Sequence, residues 1–87
     1  MKSFRLEITT PAGVSFADDA VQLSVRAIDG SLAIMAGHIP LVTAVSPGEC
    51  RVYLESGDIK HADCDGGMLV VTAEKVQLLS SAFKFKD

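Results

Sequence analysis

The chain has 87 residues, enough for one domain with a two-layer core. Its 48% apolar and 22% charged residues are typical of an ordered globular protein. The net charge is −3, and the basic residues are scattered along the chain. Nucleic-acid binding needs a dense positive surface, and binding to anionic membranes needs a polybasic segment, so the composition argues against both functions.

Targeting and membrane signals are also missing from the sequence. The longest apolar run, residues 32–36, is far shorter than the roughly 20 residues that span a bilayer. Charged residues interrupt the N-terminal segment where a secretory signal has its apolar core. We therefore expect a cytosolic protein without direct lipid insertion, whose Cys50 and Cys64 are free thiols.

Alternation of apolar and polar residues with a period of two predicts strands in the first half of the chain. Turn signals divide this half into four strands and a loop: residues 4–8, 14–16, 21–27 and 32–35, with the loop at 36–40. Asp18 and Asp19 are expected to open a turn after the second strand, because Asp side chains accept hydrogen bonds from the local backbone.

The same period continues after the loop. Five further strands are predicted: residues 41–45, 50–55, 59–64, 68–72 and 76–80. Residues 46–48 and 65–67 are expected to separate strands, with Gly66 and Gly67 in a bulge or tight turn that needs positive φ. Residues 83–86 also alternate, but we expect them to fray. About nine short strands predict an all-β antiparallel sandwich or barrel.

The turn after residue 55 decides how the two cysteines face each other. A three-residue turn at residues 56–58 would pair Cys50 with Cys64 and Arg51 with Asp63 across one hairpin. A two-residue turn would instead place Cys50 opposite Asp63. The first arrangement matches charge and apolarity better, so we predict neighbouring reduced thiols on the core side of the hairpin.

No catalytic group of residues can be assembled from the sequence. The chain has two histidines, His38 and His61, and no spacing typical of a zinc site. Cys50 or Cys64 could pair with His61 as nucleophile and base, although small core cysteines and a solvated histidine are the favoured interpretation. We therefore predict no catalytic, cofactor-binding or metal-binding residues.

The loop at residues 36–40, AGHIP, is unusually apolar. Surface loops are usually polar, so this loop is typical of a docking surface. His38 is either a solvated side chain without a special role or a contact residue. In the second case Gly37 permits close approach, and Ile39 with Pro40 forms a stiff apolar ridge.

Residues 29–43, DGSLAIMAGHIPLVT, resemble the matching segment in the sandwich domain of ATP synthase epsilon subunits. The resemblance continues through residues 46–48, 65–71 and 4–8. It implies an antiparallel two-sheet flattened β-sandwich of about nine to ten short strands, with one domain over residues 1–87 and a tail at 81–87. It also implies a non-catalytic central-stalk subunit of the F-type ATP synthase. Such a subunit links gamma to the membrane c-ring and couples proton translocation to ATP synthesis.

The resemblance also implies two sets of contact residues. The gamma-subunit interface would comprise Gly37, His38, Ile39, Pro40, Leu41 and Thr43. The c-ring-proximal loop would comprise Asp29, Gly30 and Ser31. Ser31 stands where many relatives carry an acidic residue that can pair with a basic ring loop, and Ala33 stands where relatives usually have glycine. The implied location is peripheral, on the cytoplasmic side of the bacterial cell membrane.

Epsilon subunits typically continue into a helical hairpin, whereas this sequence stops at Asp87. The Met1 start favours a naturally short subunit over one cut at a domain boundary. Two other classes of function stay open at this point. One is a free-standing small-ligand-binding β-sandwich with the apolar loop at the rim of its pocket. The other is a small enzyme that uses His38, or a cysteine with His61.

Overall fold

The computed structural model describes residues 2–86, which form eight β-strands and no helix. The strands are β1 Phe4–Thr10, β2 Gly13–Ala20, β3 Gln22–Ala27, β4 Gly30–Met35, β5 Leu41–Tyr53, β6 Ile59–Val71, β7 Val76–Ser80 and β8 Phe83–Phe85. The part of the chain that the structure describes thus offers no helix capable of crossing a membrane. The all-β prediction is confirmed.

The strands form one continuous sheet that folds over into two layers. They pair in the order β2-β1-β7-β6-β5-β3-β4, and β8 pairs with β6. Residues 41–45 of β5 and 67–71 of β6 belong to the layer that contains β7, β1 and β2, here called the β1 layer. The remaining halves of β5 and β6 lie with β3, β4 and β8 in the β3 layer. This arrangement confirms the predicted two-sheet sandwich.

The core lies between the two layers and takes one face from each strand, as period-two alternation requires. The β1 layer contributes Leu6, Ile8, Leu69 and Leu78, whereas the β3 layer contributes Leu23, Ile34 and Val52; all seven are fully buried. Because these side chains belong to a single cluster, the two layers are held together mainly by apolar burial.

β5 and β6 pass from one layer to the other at a shared bend. Ser46 and Gly66 lie at this bend, between the paired residues Val45–Gly67 and Pro47–Asp65. Gly66 and Gly67 have φ values of 84° and 148°, which confirms the predicted positive φ. The expected strand ends at this point were wrong, since both strands continue through the bend. The described residues consequently form eight strands instead of nine to ten.

The chain end and the second strand also differ from expectation. Residues 83–85 do not fray: they form β8, in which Phe85 lies opposite Ala62 of β6. The Phe85 ring meets Phe16 of the other layer edge to face, with ring centroids 6.2 Å apart. Asp18 and Asp19 do not open a turn, because they lie within β2 opposite β1. In both places cross-strand pairing outweighed a local preference.

The β5–β6 turn is longer than predicted. Leu54 N–H donates to Asp58 O over 2.9 Å, which closes a five-residue turn and shifts the register by two residues. Cys50 therefore lies opposite Ala62, not opposite Cys64. A shift of two keeps every side chain on its face, so both cysteines are still buried and free. The neighbouring Cys64 thiol and burial in the core raise the pKa of Cys50.

Candidate functional site

The loop between β4 and β5, residues 36–40, contains one hydrogen-bonded turn and one side-chain hydrogen bond. The backbone N–H of His38 donates to Met35 O at 3.1 Å, which forms a turn. Gly37 has a φ of 85° within this turn, a conformation that favours glycine. The His38 Nδ1 lies 2.7 Å from Ile39 O. Because a carbonyl oxygen only accepts, Nδ1 carries the proton in this contact, and the imidazole is held against its own loop.

Three large apolar side chains project into solvent at this loop. Met35 is 52% exposed, Ile39 is 74% exposed and Val42 is 65% exposed. They lie within eight residues of chain, at the end of β4, in the loop and at the start of β5. A concentration of exposed apolar surface of this kind marks an interaction site more often than a free surface.

The loop residues predicted to face gamma line an open groove of about 550 Å³. Gly37, His38, Ile39 and Pro40 form one wall. The β6–β7 turn at residues 72–75, the start of β1 and Asp19 of β2 form most of the rest. The groove is open at the surface of the sandwich, so it leaves no cavity in the small core.

The other predicted contact residues meet in a second groove of about 290 Å³. Asp29, Gly30 and Ser31 of the β3–β4 turn line it together with Leu41 and Thr43 of β5. The structure thus brings the ring-proximal loop beside the beginning of β5. The two grooves adjoin at the start of β5, since Pro40 lines the first groove and Leu41 lines the second.

Leu41 and Thr43 are less accessible than a contact role would suggest. Leu41 packs partly against the core, and Thr43 is half-buried on the same side of β5. Val42 lies between them with its side chain exposed, although the sequence analysis did not include it. The alternation of β5 could have identified Val42. Residues 41 and 43 lie on the core side of the strand, so residue 42 must lie on the exposed side.

The outer face of the β1 layer carries an apolar row that sequence reasoning missed. Strand pairing places Ala44 of β5 opposite Met68 of β6, and Met68 opposite Leu79 of β7. All three residues are exposed, and Val42 adjoins them on β5. We call Ala44, Met68 and Leu79 the outer apolar row. Local patterns could not reveal it, because its members come from three strands.

The outer face of the β3 layer carries charged groups instead. The Glu49 carboxylate lies 2.6 Å from His61 Nδ1, 3.3 Å from Arg51 Nε and 3.5 Å from Lys86 Nζ. The pKa of Glu49 is lowered to about 2, first by the hydrogen bond with His61 and then by that with Arg51. Lys86 also pairs with Asp63 at 3.4 Å.

The structure does not bring a cysteine and a histidine together as a nucleophile and its base. His61 is half-buried on the outer face of β6 beside Glu49, whereas Cys64 lies on the inner face of the same strand. Cys50 is buried in the same core. Because His61 and Cys64 lie on opposite faces of β6, they cannot act together as base and nucleophile. Residues 2–86 contain no group of three or more His, Cys, Asp or Glu side chains suited to a metal ion.

Comparison with known proteins assigns this fold to a family. The family described as "ATP synthase, Delta/Epsilon chain, beta-sandwich domain" matches residues 3–86. The ATP synthase epsilon chain of Caldicellulosiruptor saccharolyticus is 39% identical over all 87 residues, and that of Bacillus pumilus is 36% identical. The sodium-ion-specific epsilon chain of Acetobacterium woodii is 33% identical over 86 residues. The chain spans 63%, 66% and 65% of these three relatives.

Solved structures share the same fold. A chain in the Euglena gracilis mitochondrial ATP synthase OSCP/F1/c-ring structure matches with a TM-score of 0.90 at 20% identity, over 95% of this chain and 53% of that one. A chain in the Tetrahymena thermophila mitochondrial ATP synthase central stalk/c-ring structure matches with a TM-score of 0.78 at 14% identity, over 94% of this chain and 66% of that one. At these identities the likeness concerns the fold alone. The match of nearly all described residues to one family profile decides membership: the chain belongs to the family of ATP synthase delta/epsilon chain β-sandwich domains.

Proposed function

We propose that the chain is a non-catalytic central-stalk component of an F-type ATP synthase. In this role it binds the gamma subunit, faces the c-ring and helps to couple proton translocation to ATP synthesis. It would lie at the cytoplasmic side of the bacterial cell membrane as a peripheral part of the complex. Family membership supports this proposal, as do the names of the relatives, which are epsilon chains of ATP synthases.

The observation that carries the proposal is the exposed apolar surface at the β4–β5 loop. Met35, Ile39 and Val42 are between half and three-quarters exposed, so covering what remains of each would contribute about 1–2 kcal/mol. The outer apolar row extends this surface across the β1 layer. A partner with a matching apolar surface would remove both from water.

Ring contact is proposed for the adjoining β3–β4 turn. Asp29, Gly30 and Ser31 are all exposed at the tip of this turn. They share a groove with Leu41 and Thr43, so a partner that covers the start of β5 also reaches the turn. One surface can therefore contact gamma and the ring together, which a coupling role between them requires.

Titration calorimetry with the gamma subunit of the same organism tests the proposal. We expect the wild-type chain to bind, and Ile39→Asp to weaken binding by ~1–3 kcal/mol, the range for burying an unsatisfied polar group. His38→Glu should weaken binding by a similar amount, because it places a charge in the same loop. The melting temperature should hardly change for either variant, since the loop lies outside the core.

Val14→Asp is the matched control, because Val14 is 68% exposed but lies on β2, at the far edge of the β1 layer. We expect this variant to bind gamma like the wild type. Equal losses for Val14→Asp and Ile39→Asp would contradict the proposed surface, and failure of the wild type to bind would contradict the proposed function. A direct functional test adds the chain to vesicles whose ATP synthase lacks its epsilon chain, where proton pumping should be restored.

A further inference from the structure

The sequence contains two Asp-Gly pairs and no asparagine. The pairs are Asp29-Gly30 and Asp65-Gly66. In an Asp-Gly pair the backbone nitrogen of the glycine can attack the side-chain carboxyl carbon of the aspartate, because glycine has no Cβ atom to hinder the approach. Gly30 and Gly66 have φ values of 120° and 84°, so the fold itself favours glycine at both positions. Both pairs have the same chemistry, and only the fold can make their reactivity different.

Asp29 and Gly30 lie at the tip of the β3–β4 hairpin. Strand pairing places Ala27 opposite Gly30, so the turn itself consists of Ile28 and Asp29. Both turn residues and Gly30 are exposed. A Cβ atom at Gly30 would find no atom within 4 Å beyond its neighbours in the chain. The Asp29 carboxyl group and the Gly30 nitrogen therefore have open space around them in which to meet.

Asp65 and Gly66 lie instead within β6, at the bend between the two layers. The Ser81 hydroxyl donates to Asp65 Oδ2 at 3.3 Å, and the Ser80 hydroxyl donates to Gly66 O at 2.6 Å. Gly66 is buried, and a Cβ atom there would lie 2.9 Å from Val45 O. Hydrogen bonds on both residues and close packing thus hold the Asp65-Gly66 pair in place.

We propose that Asp29-Gly30 is a modification site, at which Asp29 is converted spontaneously into isoaspartate while the chain is folded. The Gly30 nitrogen forms a bond to Asp29 Cγ, and a hydroxyl of the carboxyl group leaves as water with the proton of that nitrogen. The product is a cyclic succinimide. Water then opens the ring: attack at Cγ restores aspartate, whereas attack at the backbone carbonyl carbon of Asp29 gives isoaspartate. One water is lost and one is taken up, so no oxidant or cofactor is needed.

The modification changes the hairpin at the point that sets its register. In isoaspartate the main chain runs through the side chain of residue 29, which adds one methylene to the turn and leaves a free α-carboxylate beside it. Turn length fixes the register of a hairpin, so the Ala27–Gly30 pair is the first to be disturbed. The fully buried pair of Leu23 and Ile34, at the other end of β4, should keep the strand attached.

This inference goes beyond the proposed function and does not depend on it, because the two Asp-Gly pairs are compared within the isolated chain. The reaction is assigned to the chain before assembly, since the proposed function has the β3–β4 turn covered by the ring. The free α-carboxylate of an isoaspartate is the group that isoaspartate-specific methyltransferases esterify. The aged chain is therefore expected to be a substrate of an enzyme of that class.

The test compares the two sites in chain kept for weeks at neutral pH, either folded or in urea. Trypsin places Asp29 in the peptide of residues 27–51 and Asp65 in the peptide of residues 61–75, where chromatography separates isoaspartyl from aspartyl forms. In the folded chain isoaspartate should form at least about tenfold faster at Asp29 than at Asp65, because the bend must open before Asp65 can react. In urea the two rates should become similar. Similar rates in the folded chain, or isoaspartate at Asp29 only in urea, would overturn the inference.

Asparagine variants measure the same contrast on a shorter timescale, because an amide loses ammonia more readily than a carboxyl group loses water. Asp29→Asn should form isoaspartate at position 29 several-fold faster than the wild type while folded. Asp65→Asn is the matched control, since it carries the same chemistry at the bend and should stay slow until urea is added. Equal rates for the two variants in the folded state would contradict the proposal.

Asp29→Glu keeps the negative charge but closes the equivalent ring far less readily, because its side chain is one methylene longer. Aged wild-type chain should accept methyl groups from S-adenosylmethionine when an isoaspartate methyltransferase is added, and aged Asp29→Glu should lose most of this methylation. Equal methylation of the two chains would place the isoaspartate elsewhere and would overturn the assignment to Asp29. The exposed turn lies outside the core, so the melting temperature of Asp29→Glu should match that of the wild type.

Discussion

The Ser80 hydroxyl lies 2.6 Å from the carbonyl oxygen of Gly66, at the point where the long β5–β6 hairpin bends. It also lies 2.8 Å from Ala82 O and accepts the Ala82 N–H at 3.3 Å. Ser80 is only 6% exposed, and it is the sole buried polar residue in the part of the chain that the structure describes. One hydroxyl therefore connects the bend of β6 with the turn that leads into β8.

Replacement of this hydroxyl should destabilise the fold. We expect Ser80→Ala to lower the free energy of unfolding by ~1–3 kcal/mol, because it leaves buried backbone groups without a partner. Ser81→Ala is the matched control, since the Ser81 hydroxyl is exposed and lies 3.3 Å from Asp65. Urea denaturation measures the free energy of unfolding of both variants. Equal small losses would mean that water hydrogen-bonds to the backbone groups at the bend in place of the Ser80 hydroxyl.

Gly67 should be intolerant of any side chain. A Cβ atom at this position would lie 2.0 Å from Leu79 O, and its φ of 148° is one that other residues rarely adopt. We expect Gly67→Ala to cost at least ~3 kcal/mol or to prevent folding. Gly57→Ala separates backbone strain from the clash, because Gly57 also has positive φ but open space around it. That control should lose only ~1–2 kcal/mol. Similar losses in the two variants would show that the clash is relieved by movement of β7.

The ion pairs of Glu49 predict a dependence of stability on acid pH. Its pKa falls from 4.5 to about 2 in the folded chain, so the stabilisation is fully present above about pH 4.5 and is lost as the pH falls towards 2. We expect Glu49→Gln to flatten the fall in the free energy of unfolding across this window. Glu55→Gln, in the exposed β5–β6 turn, is the control. An unchanged pH profile in Glu49→Gln would mean that the pairs contribute nothing in solution.

The buried thiols should react only when the fold opens. Cys50 and Cys64 are 1% and 4% exposed, so we expect Ellman's reagent to label the native chain at least about a hundredfold more slowly than the denatured chain. Ser56→Cys, at an exposed turn position, should react at once and serves as the positive control. Rapid labelling of both native cysteines would mean that the β5–β6 hairpin opens locally.

Much of the fold could be predicted from the sequence, because alternation records which face of a strand is buried. Phe4, Leu6 and Ile8 placed β1 correctly, and the longer alternation near residues 21–27 placed β3. The apolar loop at residues 36–40 was also identifiable, since apolar residues in a loop contradict the usual polarity of surface segments. These are local signals that need no knowledge of neighbouring strands.

The tertiary structure decided what depends on pairing between distant segments. Pro47 and Gly66 were predicted to end strands, yet they lie at a shared bend where the hairpin carries both strands from one layer to the other. The register moved by two because hydrogen bonds at residues 54–58 made a longer turn. Residues 83–85 became a strand because β6 offered unpaired edge groups to them.

Only part of the candidate site could be predicted from the sequence. Gly37, His38 and Ile39 could be proposed from the sequence, because their loop is continuous in the chain. The outer apolar row could not, since its members come from three separate strands brought together by register. Alternation determines which side of a strand faces the core, but only hydrogen bonding between strands determines which exposed residues become neighbours.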